Sequence, residues 1–361
     1  MSIYIDFHVL QTVPPSCVNR DDMGSPKTAI YGGAVRARVS SQSWKHAMRE
    51  DFKQLFTEEE LGSRTKNVVE MIGKEMIAAG CKLDDKKRND LAVKALDLAG
   101  IKVKESKNDE PEKAEALFFM SNKQAKAIAE HALSLDLKAK ESKDIFRADL
   151  KENPSVDIAL FGRMAASDPT LNYDAAAQVA HAISTHAVQN EYDYFTAVDD
   201  LQEEDNSGAG HLGTVEFNSS TLYRYATVNA SELVKMIGKD NAAETVRKFG
   251  QSFICSMPTG KQNTFANRTF PDTVYITIRK DQPVNLCGAF EAPVRRSDNG
   301  YAEASEKALA KYAEKVYARY AAKPVKAFCI GDSFGDDAVS LPLNELLSEI
   351  EKAVTAELDE V

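Results

Sequence analysis

No apolar run in the chain approaches the roughly eighteen residues that a membrane-spanning helix needs. A membrane partner is therefore not expected. Cysteine is scarce: Cys17, Cys81, Cys255, Cys287 and Cys329 are odd in number and widely spaced, with no CxxC pair. That excludes a sequence-readable zinc site and argues against a disulfide framework. HExxH is missing, and His181 and His186 stand five apart, which on a helix turns the imidazoles well away from each other. They read as packing or capping groups. A phosphate-binding loop is missing too: Thr259-Gly260-Lys261 comes near one, but Cys255 replaces its first glycine and Gln262 its Ser/Thr. No internal repeat is visible, so any repetition must come from copies of the whole chain. The opening Ile3-Tyr4-Ile5-Asp6-Phe7-His8-Val9 alternates like a strand and does not resemble a secretory signal. The expectation is a cytoplasmic protein with no metal, no cofactor and no catalytic group.

What is there is size and an uneven charge. With 361 residues, 43% of them hydrophobic, the chain can bury a large core plus embellishing subdomains. The net charge of −10 works against nucleic-acid binding only if it is spread evenly. It is not. Residues 16–49 carry six basic side chains (Arg20, Lys27, Arg36, Arg38, Lys45, Arg49) against Asp21 and Asp22, a net of +4. Residues 336–361 carry eight acids against Lys352, a net of −7. Solvated faces of different charge would give the same numbers.

Along the chain, alternation predicts strands at 2–11 and Ala34–Val39, separated by a loop ending in Gly32-Gly33. Ser40 or Ser41 caps a following helix, with Trp44, Ala47, Met48, Phe52, Leu55 and Phe56 buried and Gln42, Lys45 and Arg49 on another face. Residues 57–153 are rich in Lys, Glu and Ala. They predict helices near 57–79, 84–99, 112–135 and 142–151, an insertion into a sheet domain. A strand is expected at Val156–Phe161, a helix near 174–187, and a hairpin of Thr214–Asn218 with Thr221–Asn229. A helix near 241–257, a strand at Thr273–Arg279, a helix at 301–322, a strand near 325–330 and a helix at 342–357 complete the pattern. Interleaved strands and helices fit an α+β sheet domain of the split βαβ kind.

Two segments carry groups suited to phosphate. Asn19, Arg20 and Lys27 can contact phosphate or sugar, or Arg20 simply pairs with Asp21 and Asp22. Ser40-Ser41-Gln42-Ser43-Trp44-Lys45 puts hydroxyls, an amide and a lysine on a first helical turn, where N–H groups and the dipole favour an anion. Plain capping with a surface lysine fits that segment equally. The acids at 199–205 could hold magnesium, but an exposed acidic loop is their commoner meaning.

Asn-Arg-Asp-Asp at 19–22, Ala-Ile-Tyr-Gly-Gly at 29–33, Arg-Val-Ser-Ser-Gln-Ser at 38–43 and Ala-Met-Arg at 47–49 resemble the CasC (Cse-type) backbone subunit of type I-E CRISPR Cascade. So do Val-Asp-Ile-Ala-Leu-Phe-Gly-Arg-Met at 156–164, Ala-His-Ala-Ile-Ser-Thr-His at 180–186 and Tyr-Phe-Thr-Ala-Val-Asp-Asp-Leu-Gln-Glu at 194–203. His-Leu-Gly-Thr at 211–214 and Tyr-Arg-Tyr-Ala at 223–226 continue in order. The insertion and the carboxy-terminal region match loosely.

The resemblance implies a right-hand shape: an RRM-like (ferredoxin-like) palm at 1–56, 154–187 and 213–361, helical fingers at 57–153 and a thumb at 188–212. It implies head-to-tail copies along a CRISPR RNA, with other Cascade subunits and target DNA as further partners. Arg20, Lys27, Ser40, Gln42 and Lys45 would hold the RNA backbone, with Asn19 and Arg49 on the same surface. Arg163 and Met164 would contact RNA near a kink, Phe195 would lie beside a displaced base, and Lys261 would add a contact. Lys138, Lys140 and Lys143, with Arg147, would touch DNA. The alternative is a subunit that cleaves target RNA with a metal, as related type III complexes do, through Asp21 or Asp22.

Overall fold

The computed structural model describes residues 2–104, 112–139, 141–197 and 211–360. In chain order, β1 (Tyr4–Ser16), β2 (Thr28–Tyr31) and β3 (Ala34–Val39) precede α1 (Ser41–Leu55). Then come β4 (Gly62–Thr65), α2 (Val68–Ala78), α3 (Asp85–Ala99), β5 (Val103–Lys104), β6 (Lys113–Ala114) and β7 (Phe118–Ser121). They are followed by α4 (Asn122–Ser134), α5 (Ser142–Lys151), α6 (Val156–Phe161), β8 (Ala177–Val179), β9 (Ala182–Ser184), β10 (Glu191–Ala197) and β11 (His211–Asn229). The remainder is α7 (Ala230–Ile237), α8 (Lys239–Cys255), α9 (Gln262–Phe265), β12 (Thr273–Arg279), α10 (Ala302–Arg319), β13 (Lys326–Ile330), β14 (Val339–Ser340) and α11 (Leu343–Asp359). This is a mixed α+β protein. Among the described residues, no helix is long and apolar enough to cross a membrane.

The chain divides into two compact units: Met1–Met48, Val179–Thr227 and Phe249–Val361 form the first, Arg49–Gln178 and Val228–Lys248 the second. The first is built on a sheet of order β14-β13-β12-β1-β11-β9-β3-β2, with β8 and β10 paired to β11 off that path. β1 lies inside the sheet between β12 and β11, and side chains on both of its faces, from Ile5 to Leu10, are buried. Ile5, Phe7 and Val9 face one way, and Phe7 packs on Phe249 and Phe253 of α8 at 5.6 and 6.2 Å between ring centres. A Cβ on Gly250 would fall 2.7 Å from the Phe7 ring, so this approach requires glycine.

The opposite face of β1 is polar. Asp6 accepts from the Tyr225 hydroxyl and the Val284 amide, each at 2.9 Å, and His8 Nδ1 meets the Tyr223 hydroxyl at 2.9 Å. Burial outweighs these bonds: the Asp6 carboxyl is pushed up to about 6 and the His8 imidazole down to about 3.

The second unit is helical. Ile72, Leu96, Ile128, Phe146 and Leu150, from α2, α3, α4 and α5, form its core with Phe118 and Met120 of β7. Phe52 of α1 stacks on Phe161 of α6 at 5.8 Å.

Several expectations are corrected. Val156–Phe161 is helix, not strand; a short apolar run has the same hydrophobic pattern either way, and here the Ser155 carbonyl accepts the Ala159 amide as a first helical bond. Residues 174–187 contain β8 and β9 in place of a helix, because cross-strand pairing with β11 and β3 overrides local propensity. The two runs after 213 are one strand, β11, extended through Ser219-Ser220. Within 57–79 and 112–135, strands β4, β6 and β7 precede the helices. β1 also runs past Pro14-Pro15. Its ladder with β12 stops at Leu10, so the prolines withhold no amide from that pairing.

Candidate nucleic-acid interface

Beyond β1 the chain makes a loop from Cys17 to Lys27 that closes on itself. The Lys27 amide donates to the Asn19 carbonyl at 2.8 Å and the Asp21 amide to the Ser25 carbonyl at 2.9 Å. Asp21 Oδ1 accepts from the Met23 and Ser25 amides at 3.0 and 2.9 Å, the turn an Asx side chain favours. Its carboxylate is thus spent on the loop, while Arg20 is exposed. The Asn19 side chain accepts from the Ser40 amide at 2.9 Å, tying the loop to the start of α1.

The β2–β3 hairpin carries Lys27 at its entrance and Arg38 near its exit. Its turn, Gly32-Gly33, has φ of +57° and +74°, the positive pair of a tight hairpin. A Cβ on Gly32 would lie 1.6 Å from the Glu291 carbonyl oxygen, so only glycine fits. Arg36 and Arg38 stand two apart on β3 and share one face, but their surroundings differ. Arg36 points inward and donates to the carbonyls of Ser184 and Phe290, each at 2.9 Å. Arg38 is half-buried and donates to the Thr28 carbonyl at 3.3 Å. One of the six cations counted from sequence is therefore internal.

At the start of α1, Ser40 is buried and its hydroxyl accepts from the Ser43 amide at 3.3 Å, so it caps the helix. Gln42 is exposed. Lys45 is half-buried, and desolvation lowers its ammonium below the usual range. The Ser41 amide donates to His181 Nδ1 at 3.2 Å, and Arg38 Nη1 lies 3.4 Å from the same nitrogen. Burial, then Arg38 and Lys27, hold the His181 imidazole below its usual range. Beside this cluster is a depression lined by Asn19, Lys27, Arg38, Asn218, Ser220 and apolar neighbours.

Lys261 joins the surface from far along the chain. It has φ +53°, uncommon for a side-chain-bearing residue, and a Cβ on the preceding Gly260 would lie 2.0 Å from the Val18 carbonyl oxygen. The loop is thus pressed against the Cys17–Lys27 turn. The charges of Arg20 and Lys261 both act on the Cys17 thiol, which burial nevertheless pushes up. So Asn19, Arg20, Lys27, Ser40, Gln42, Lys45 and Lys261 gather in the first unit. Arg38 and His181 complete the cluster, although sequence reasoning missed both. For Arg38 the signal is its place among the basic side chains of residues 16–49. For His181 the helical spacing expected of 174–187 gives none.

Residues placed in the second unit behave differently. Arg49 Nε pairs with buried Asp157 at 3.1 Å, a second donor reaches the Gly62 carbonyl at 3.3 Å, and the guanidinium lies 4.5 Å from the Phe119 ring centre. Its charge is engaged inside its own unit. Arg163 is only 4% exposed. All five of its N–H groups are used, on the carbonyls of Leu171, Phe119 and Leu150 and on Gln124 Oε1, at 2.7–3.1 Å. The rings of Phe118 and Tyr173 lie 4.7 and 4.8 Å from it, and burial lowers it to about 10. A direct RNA contact by Arg163 is therefore corrected to an internal bracing role. The adjacent Met164 is 83% exposed. Lys138 and Lys143 are exposed, Arg147 pairs with Asp168, and Lys140 lies outside the described residues.

β10 and β11 form an antiparallel ladder from Glu191↔Phe217 to Ala197↔His211. Tyr192 and Tyr194 are exposed on it, and the Phe195 ring covers Gly213, where a Cβ would fall 2.4 Å from the ring. The acids at 199–205 lie outside the described residues. Among the described residues, no group of three or more His, Cys, Asp or Glu side chains could hold a metal ion.

The chain is 31% identical to a chain of a solved structure titled "CRISPR RNA-guided surveillance complex, pre-nicking", with a TM-score of 0.85 over 98% of this chain and 99% of that one. It is 28% identical to a chain of another, "CRISPR RNA-guided surveillance complex", with a TM-score of 0.63 over 97% and 99%. No curated protein matches it significantly. Residues 5–353 match the family described as CT1975-like protein, and the chain belongs to that family.

Proposed function

We propose that this chain is a non-catalytic backbone subunit of a type I-E Cascade that binds CRISPR RNA. The observation that carries this role is the end-to-end similarity to a chain of an RNA-guided surveillance complex, joined to the basic cluster of the first unit. Copies would follow one another head to tail along the guide and hold it by phosphate and sugar, leaving its bases free to pair with target DNA. The strand order β12-β1-β11-β9, with α1 after β1 and α8 before β12, supports an RRM-like palm at 1–56, 154–187 and 213–361. Residues 57–153 would be its fingers and 188–212 its thumb. In the palm, Arg20, Lys27, Gln42, Lys45 and Lys261 would line the RNA path. Asn19 and Ser40 would shape it, because their side chains already hold the start of α1. Met164 and Phe195 would meet the guide where it kinks. Lys138 and Lys143 would meet DNA.

The non-catalytic assignment is supported by Asp21, whose carboxylate caps its own turn. Produced beside a CRISPR array, the chain should purify with RNA of uniform length, and the complex should leave complementary RNA intact in magnesium. Lys27→Ala with Lys45→Ala removes two cations, which should weaken loading and reduce the slope of log K against log salt by about 1.4 for a single strand. Full RNA occupancy of that double variant at moderate salt would overturn the assignment of the site.

A further inference from the structure

His181 stands immediately before β9, whose pairing with β3 sets Ile183 opposite Arg38 and so brings the imidazole to the start of α1. Nδ1 accepts from the Ser41 amide at 3.2 Å, with Arg38 Nη1 at 3.4 Å. A neutral imidazole that accepts at Nδ1 carries its proton on Nε2. Among the described residues no hydrogen bond engages that Nε2–H, and the ring is exposed. Desolvation, then Arg38 from β3 and Lys27 from the loop before β2, lower the imidazole below its usual range, in keeping with an Nδ1 that accepts from Ser41.

The choice of residue is informative. Two cations and a helix start surround the position, and an aspartate there would satisfy the Ser41 amide and pair with Arg38 and Lys27 as well. It would also neutralise the surface and repel phosphate. Histidine accepts from Ser41 on one edge without adding negative charge, and offers a donor on the other edge. A neutral donor between two cations lacks only an anionic acceptor.

We propose that His181 binds the guide RNA directly, its Nε2–H donating to a phosphate oxygen held between Lys27 and Arg38. This rests on the RNA-binding function proposed above, and it adds a contact to that surface. The two ring nitrogens can be separated by substitution. An asparagine amide can put its oxygen where Nδ1 stands and keep the Ser41 bond. A glutamine amide can put its nitrogen where Nε2 stands and keep the donor.

The test is RNA affinity of the full chain by fluorescence anisotropy with a labelled single-stranded RNA, for His181→Asn, His181→Gln and Lys27→Ala, each confirmed folded by its melting curve. Loss of a hydrogen bond to a charged group should weaken His181→Asn about tenfold, while His181→Gln stays close to the unsubstituted chain. If Asn binds as well as Gln, the imidazole merely caps α1 and the contact is refuted. Lys27→Ala separates the two levels. Normal binding by it removes the RNA site itself, whereas its loss beside two normal His181 variants removes only the histidine contact.

Discussion

Replacing Arg163 by Met distinguishes a buried brace from an RNA contact. Methionine keeps much of the apolar volume between Phe118 and Tyr173 but supplies no donor. The Leu150 carbonyl retains the Gln124 amide at 2.9 Å, whereas the Leu171 carbonyl loses both Arg163 donors, at 3.0 and 2.9 Å. Gln124 Oε1 loses one at 3.1 Å but keeps the Ser121 amide at 3.2 Å, and the Phe119 carbonyl loses one at 3.1 Å. Buried acceptors left unmet cost about 1–3 kcal/mol each. Removing a buried cation that has no carboxylate partner offsets part of this, for a net loss of roughly 2–4 kcal/mol. At about 2–4 °C per kcal/mol for a domain of this size, the melting temperature should fall by roughly 4–16 °C. Calorimetry measures that shift, and RNA loading well below the transition should stay near that of the unsubstituted chain. A variant that melts normally yet loses RNA would mean that the guanidinium serves the ligand and not the fold.

Acidification should reveal two opposed groups on the polar face of β1. The Asp6 carboxyl, raised to about 6, contributes stability that is complete below its unfolded value near 3.8 and lost as pH rises through 6. The His8 imidazole, lowered to about 3, contributes stability present above 6.5 and lost as pH falls toward 3. Asp6→Asn leaves only the second effect, so its urea stability should fall by up to about 1.4 kcal/mol per pH unit below pH 6.5, more steeply than the parent; coincident pH profiles would sink this account. Gly32→Ala should cost roughly 1–3 kcal/mol more than Gly24→Ala. Both positions have positive φ, but the added methyl collides with Glu291 only at Gly32. Equal losses in chemical denaturation would refute the collision.

Strongly periodic segments were legible without coordinates. Ala34–Val39 and Thr273–Arg279 alternate and are strands, and 142–151 has helical spacing and is α5, because local pattern and tertiary burial agree there. Val156–Phe161 reads as strand because its apolar run, broken only by Asp157, favours neither period, and 174–187 departs from the helix its sequence suggests because cross-strand pairing decides it. The basic cluster was half legible. Asn19, Arg20, Lys27, Gln42 and Lys45 lie close in sequence, and the helix start that organises them is a local feature. What the residues alone determined was therefore the chemistry available: cations, hydroxyls and a capped helix near the amino terminus, with family blocks to match. Only the tertiary structure decided which of those charges are accessible. Folding turned Arg36 and Arg163 inward onto carbonyls, engaged Arg49 with Asp157, and brought Lys261 and His181 to the loop from more than a hundred residues away. The physical reason is that a buried guanidinium is tolerated only where acceptors meet most of its donors, and those acceptors are set by long-range packing that no local pattern encodes.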